Sequence, residues 1–190
     1  MSLDQQLFYF LNTTCGNPVL DWLAPMWREK LFWMPFYVFL VAFFTINFRK
    51  KGLLAVLALV VTVGLADFIS SELIKKNVRR LRPCNDPAFV EKVHLRVDSC
   101  GGGWSFTSSH AANHFAAAVF LGLLLGRRVK WAWPALLGWA ASVALMQVYV
   151  GLHYPGDILG GALVGVLVGF IGFETGRRTN VVTLGFLAKQ

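Results

Sequence analysis

The stretch "LLAVLALVVTVGLADFISSELIKKNVRRLRP" (Leu53–Pro83) decides how the chain is read. It starts as an apolar run, charged only at Asp67 and Glu72, and ends in cations: Lys75, Lys76, Arg79, Arg80 and Arg82. A helix needs about 20 mostly apolar residues to cross a bilayer, and Leu53–Lys75 supplies them. Ionisable groups at a membrane edge are costly unless they are paired or used. The rest of the chain has to explain why cations gather there.

Composition supports a membrane setting. The chain has 190 residues, 56% of them hydrophobic, and a mean hydropathy of +0.55, too high for an ordinary soluble domain. The net charge of +8 lies in short basic clusters beside apolar runs. That pattern fits bilayer orientation and contact with lipid headgroups, not nucleic-acid binding. The N-terminus "MSLDQQLFYFLNTT" lacks a basic start, so no signal peptide is expected.

Five segments read as spans: Leu31–Phe48, Leu53–Lys75, Ser108–Gly126, Trp131–Val150 and Tyr154–Thr175. The expected fold class is all-α, an integral membrane helical bundle of about five to six transmembrane helices. N-terminal interfacial helices (residues 1–28) and one extracytoplasmic loop (residues 76–107) complete a single membrane-embedded domain over 1–190. Gly161, Gly165 and Gly169 recur every four residues, a helix face that a neighbour can approach closely.

Alternation of the spans puts the 76–107 loop on one side. The opposite side receives Arg49, Lys50, Lys51, Arg127, Arg128, Lys130, Arg177 and Arg178. The positive-inside rule makes that side cytoplasmic. Cys84 and Cys100 fall in the outer loop, where a disulfide is permitted. Closing such a loop contributes roughly 3 kcal/mol in the chain-entropy model. Two unrelated thiols are the alternative, and Cys15 stays free in either case.

Three stretches deliver polar groups to this outer edge. Lys75 to Arg82 end the second span, "TSSHAANH" (Thr107–His114) opens the third, and "QVYVGLHYPGD" (Gln147–Asp157) joins the fourth to the fifth. Cations, hydroxyls, imidazoles and a carboxylate at one depth suggest phosphoryl transfer. Lys and Arg neutralise phosphate oxygens. A helix N-terminus presents free N–H groups to an anion. One histidine can attack phosphorus and another can donate a proton to the leaving oxygen. A carboxylate four residues from His153 can orient its ring, following triad logic. No metal or other cofactor is needed for this chemistry, and no acidic cluster is present to hold magnesium. His110 and His114 stand four apart on a helix, but no glutamate follows His110, so a zinc-protease pattern is absent. His114 reads as a packing residue, and Asp67 as a buried partner of Asn113.

These residues resemble the type 2 phosphatidic acid phosphatases, the membrane branch of the vanadium-haloperoxidase-like superfamily. That family carries K-x6-R-P, P-S-G-H and S-R-x5-H-x3-D. Lys75 to Arg82–Pro83 fits the first motif, and "TSSH" (107–110) fits the second at its serine and histidine. "MQVYVGLHYPGD" (146–157) fits the third at His153 and Asp157. The resemblance implies that His153 is the nucleophile, Asp157 its orienter and His110 the proton donor to the leaving group. It also implies that Lys75, Arg82, Ser108 and Ser109 hold the phosphate. Lys76, Arg79 and Arg80 are further candidates for substrate contact. The third motif has arginine where this chain has Gln147, and serine where it has Met146; Gln147 can still bind the phosphate as a hydrogen-bond donor, but it carries no charge. Either Arg79 or Arg80 substitutes for the lost charge, or the chemistry is slowed or altered.

The function implied is a membrane lipid phosphatase acting through a phosphohistidine, at the outer face of a bacterial inner membrane. Undecaprenyl diphosphate, phosphatidic acid, phosphatidylglycerol phosphate and lipid A phosphate are the candidate substrates, with polyprenyl diphosphate first. The alternatives are a catalytically impaired lipid-phosphate binding or transport protein, marked by Gln147, and a channel using Asp67 and the histidines. Partners are lipids, with no nucleic acid. Oligomeric state is not legible.

Overall fold

The computed structural model describes residues 1–126 and 128–182. No strand occurs among them. Two short N-terminal helices, α1 (Leu3–Tyr9), extended by a π-helical turn (Phe10–Thr14), and α2 (Pro18–Trp27), precede the long α3 (Met34–Phe68). A second π-helical turn (Ile69–Ile74) leads to α4 (Lys75–Val78). After a long loop with two short 3-10 turns come α5 (Ser109–Leu125), α6 (Ala132–Tyr149) and α7 (Pro155–Arg178).

α3 is a hairpin. Arg49 leaves helical geometry at φ 50°, ψ −129°. The chain turns back so tightly that a Cβ on Gly52 would stand 1.8 Å from the Phe44 carbonyl oxygen. Phe44 packs with Ala55 and Val56, and Leu40 and Leu59 join the same cluster. The arms therefore run antiparallel and correspond to the first two expected spans, with the first starting later, at Met34. The bounds of α5, α6 and α7 lie within one residue of those expected, except that α7 continues three residues further, to Arg178.

α5 and α7 run side by side in the same direction. A Cβ on Gly161, Gly165 or Gly169 would lie 2.4, 2.3 or 2.6 Å from the carbonyl oxygens of Ser108, Ala112 and Ala116 respectively. Both sequences advance by four residues per contact, so the axes are parallel and the backbones touch along the whole face. Both helices then begin at one end of the bundle, which brings the Ser108–His110 and His153–Asp157 stretches together. α6 links the two in sequence, running back in the opposite direction.

The outer surface is apolar. Val38, Ile46, Val61, Leu159, Leu163 and Leu167 are exposed. A contiguous apolar face of this size suits hydrocarbon and not water. Two stretches, Met34–Asn85 and Pro155–Arg178, are long and apolar enough to cross a membrane. These are the features of an integral membrane protein.

The N-terminal helices pack across the site end of the bundle. Phe8 lies edge-on to Phe89 and Tyr154, each at 5.5 Å between ring centroids. Ala24 of α2 packs with Tyr149, Val150 and Leu152, against Cys84 and Cys100. Those cysteines are joined in a disulfide with Cα atoms 5.8 Å apart, and Cys15 is free. Of the basic residues opposite the site, Arg127 lies outside the described residues.

The glycine contact predicts a sharp asymmetry. Gly165→Ala pushes α7 from α5 and should lower the detergent-solubilised protein's melting temperature, with a cost of about 1–3 kcal/mol for overpacking. Gly138→Ala, on α6 with open space around it, should not lower it. Thermal unfolding of the two variants against wild type checks this.

Candidate active site

Gln147 lies near the end of α6, and the chain then turns through a loop into α7. The Gln147 carbonyl accepts hydrogen bonds from the Leu152 N–H (3.1 Å) and the His153 N–H (3.2 Å), fixing that turn. Gly151 takes φ 95° there, where any Cβ would meet Val93 at 3.0 Å. Pro155 opens α7, and Asp157 in its first turn accepts from the Tyr154 N–H at 2.8 Å. His153 and Asp157 are thus held by backbone bonds and are 2% and 0% exposed.

Asp157 reaches His153 through a third residue. The carboxylate lies 3.7 Å from His153 Nδ1, beyond a normal hydrogen bond. Ser105 stands between them. Its hydroxyl donates to Asp157 Oδ2 at 2.5 Å and lies 3.3 Å from His153 Nδ1. With its one proton given to Asp157, Ser105 Oγ accepts from an Nδ1–H, which leaves Nε2 of His153 unprotonated. Sequence reasoning missed Ser105. Its only signal is its place three residues before Ser108, with no motif marking it.

Arg80 occupies the far side of the carboxylate. Its Nη1 donates to Asp157 Oδ1 at 2.8 Å and its Nη2 to Asp4 Oδ2 at 2.5 Å, with the guanidinium 4.1 Å above the Tyr154 ring. Asp4 also accepts from the Gly156 N–H at 2.7 Å. Arg80 therefore serves the carboxylate and does not line the cavity described below. Lys76 pairs with Glu72, and Arg79 donates from Nε to the Lys76 carbonyl at 3.0 Å. Neither lines the cavity.

The cavity has a volume of about 710 Å³. Lys75, Arg82, Ser109, His110, Gln147 and His153 line it, and so do Arg28 and Glu29 at the end of α2. Val97 to Gly101 form one wall. That wall is tied down: Asn12 donates to the carbonyls of His94 (2.9 Å) and Tyr149 (2.7 Å), while Arg96 donates to the Asn12 carbonyl at 2.6 Å. Arg82 Nε is buried without a hydrogen-bond partner. Burial depresses the Arg82 guanidinium below its ordinary pKa, and the nearby Arg28 charge adds to that. An anion in the cavity would relieve both.

Ser108 is buried and caps α5, accepting from the Ala111 N–H at 3.5 Å. Ser109 Oγ sits 3.1 and 2.9 Å from the hydroxyls of Ser70 and Ser71. The N–H groups of Ser109 and His110 open the helix and have no intrahelical acceptor. His114 Nδ1 contacts the His110 carbonyl at 2.8 Å, and its ring packs on Trp139 at 4.9 Å. Asp67 accepts from Asn113 at 2.8 Å, but it is exposed, not buried, because it faces a groove.

That groove, of about 510 Å³, runs between the α3 arms, α5 and Trp139, and is lined mainly by apolar side chains such as Leu40, Val56, Val63 and Leu121. Ser109 and His110 line both spaces. A charged group in the cavity can thus carry a hydrocarbon chain away past His110.

Burial pushes the His153 imidazole down to about 4, against the pull of Asp157, with Arg82 and Lys75 lowering it further. The ring is neutral at physiological pH and able to act as a nucleophile. The cationic side chains of Lys75, Arg82 and Arg28, a helix N-terminus, a neutral nucleophilic ring and a second imidazole make a site suited to displacement at phosphorus.

Comparison with known proteins identifies the family. The family model of the PAP2 superfamily matches residues 55–180. The lipid A 4'-phosphatase of Bacteroides thetaiotaomicron is 33% identical over 171 residues, covering 89% of this chain and 75% of that protein. The undecaprenyl-diphosphatase of Sulfolobus acidocaldarius is 30% identical over 158 residues, 83% of this chain and 69% of that one. The crystal structure of a transmembrane PAP2 type phosphatidylglycerolphosphate phosphatase from Bacillus subtilis shares the fold, with a TM-score of 0.71 at 21% identity over 93% of this chain and 86% of that one. With its three motif segments inside the matched region and a relative aligned along most of its length, the chain belongs to the PAP2 superfamily.

Proposed function

We propose that this protein is an integral membrane lipid phosphatase that hydrolyses a phosphate mono- or diphosphoester of a lipid through a phosphohistidine on His153. The observation that carries the reading is the meeting of a cation-lined cavity with an apolar groove at Ser109 and His110. A phosphate sits among Lys75, Arg82 and the first N–H groups of α5, while the lipid chain follows the groove.

His153 Nε2 attacks phosphorus and an N–P bond forms as the P–O bond to the lipid breaks. His110 gives its proton to the departing oxygen. It then takes a proton from water, whose oxygen attacks phosphorus and releases phosphate from His153. Throughout, the Nδ1–H of His153 is held by Ser105 and its growing positive charge by Asp157, itself neutralised by Arg80. The phosphate charge is met by side chains and backbone, so turnover does not require a metal. The substrate class is supported by relatives named for lipid A 4'-phosphate and undecaprenyl diphosphate. The site faces the outside of a bacterial inner membrane, with the basic ends at 49–51, 128–130 and 177–178 in the cytoplasm.

Phosphate release from lipid A, undecaprenyl diphosphate and phosphatidic acid in detergent tests this. His153→Ala should reduce kcat by more than about 10³-fold, and EDTA should leave wild-type turnover intact. Retained activity in His153→Ala sinks the mechanism. Ser105→Ala should lower kcat by about 10–10² without raising KM, because it loosens the nucleophile and not the phosphate contacts.

A pH profile gives an independent check. Attack needs the neutral ring, and a pKa lowered to about 4 extends the neutral range downward. The acid limb of kcat/KM should therefore fall near pH 4. A limb near 6.5, the unperturbed histidine value, contradicts the buried environment.

A further inference from the structure

Gln147 leaves a gap in the charge of the third motif, and the structure fills it from an unexpected element. Arg28 caps the C-terminus of α2 and points into the cavity. Its Nε donates to Gln147 Oε1 at 3.3 Å. Gln147 is fully buried, and its Nε2 has no hydrogen-bond partner. A buried, unpartnered donor is costly unless something else satisfies it. Here it belongs to a residue that lines the cavity beside Arg28, Lys75 and Arg82.

From this we propose that Arg28 is a phosphate-binding residue that supplies the charge absent at position 147, with Gln147 as its positioning partner and a neutral donor to the same anion. The proposal deepens the lipid phosphatase reading and rests on it for the identity of the anion.

The end of α2 is held firmly enough for this role. The neighbouring Trp27 indole donates to Ser142 Oγ on α6 at 2.9 Å and packs edge-on to Trp33 at 4.7 Å. The Arg28 side chain is 14% exposed, so its charge acts in a weakly screened setting. Its Nη1 pairs with Glu29 Oε1 at 2.8 Å. Glu29 also lines the cavity and holds the guanidinium in place until an anion competes for it. An arginine at 147 would set a second guanidinium against the first. Glutamine accepts from Arg28 and still offers an N–H to phosphate. Arg79 and Arg80, one of the alternatives open from sequence, are turned to the Lys76 carbonyl and to the Asp157 carboxylate. Arg28 also lies outside residues 55–180, the part of the chain that the family model matches.

The test uses the full chain in detergent and two readouts: orthovanadate binding by calorimetry, and phosphate release from the lipid that wild type turns over. Arg28→Gln should weaken orthovanadate binding at least about tenfold and lower kcat/KM by about 10², with an unchanged melting temperature. Arg28→Gln/Gln147→Arg should regain both to within about threefold of wild type, because the charge returns to the same place from the other element. Unchanged vanadate affinity in Arg28→Gln overturns the proposal, as does a loss that Gln147→Arg does not restore. A gain of more than tenfold from Gln147→Arg alone would also overturn it, since the site would then lack a charge that Arg28 does not supply. Should Arg28→Gln not fold, Arg28→Lys carries the test: it loses the fork, binding should weaken severalfold, and unchanged affinity refutes the role. Vanadate binding that depends on Arg28 in a wild type that turns over no lipid would contradict the phosphatase reading and leave this one standing.

Discussion

A carboxylate with no exposed surface must be fully paired, and Asp157 organises the site by being so. One oxygen takes Arg80, the other takes Ser105 and the Tyr154 N–H, and its backbone carbonyl takes the Ser108 N–H at 3.0 Å. Those bonds tie the segment after α4, the approach to α5 and the start of α7 to one point. An unpaired buried charge would cost several kcal/mol, so these strands of chain cannot separate without a large penalty. His153 gains its fixed tautomer from the same arrangement.

The parallel contact of α5 and α7 supplies the frame. Gly161, Gly165 and Gly169 let the two backbones touch, so the helix openings that carry His110 and Asp157 start at the same depth. The α3 hairpin then leans on α5 and leaves the apolar groove. The N-terminal helices close the opposite side of the polar cavity. Their contribution goes beyond covering: Asp4 helps neutralise Arg80, Asn12 pins the outer loop, and α2 brings Arg28 to Gln147.

The sequence made part of this readable. Apolar run lengths defined the helices, and the four-residue glycine spacing marked the α7 face that meets α5. The alternation of direction implied that Lys75, His110 and His153 share one end. The limits have a physical origin. Ser105 works through a contact 48 residues away in sequence, and a lone serine in a loop carries no periodic signal. Arg80 and Arg82 are near neighbours in one basic run, yet one faces a carboxylate and the other the cavity. Irregular backbone decides this, with Arg79 at φ 49° turning the chain. Asp157 and His153 read as a direct pair from their spacing, whereas the start of α7 leaves room for a hydroxyl between them. Arg28 sits 119 residues from Gln147, and nothing about the composition of α2 marks it as part of a site. Amphipathic character alone describes only a helix at an interface.

Acid-sensitive phosphorylation offers the most direct measurement of the nucleophile. Wild type and a His110→Gln variant would be mixed with p-nitrophenyl phosphate, quenched in base, digested and examined by mass spectrometry for the peptide containing His153. Nitrophenolate departs without a proton, so formation of the intermediate bypasses His110 while its breakdown still needs it, and the variant should accumulate phosphate on His153, stable to base and lost in acid. Phosphate on another residue, or oxygen exchange into product without any phosphorylated protein, would contradict attack by His153.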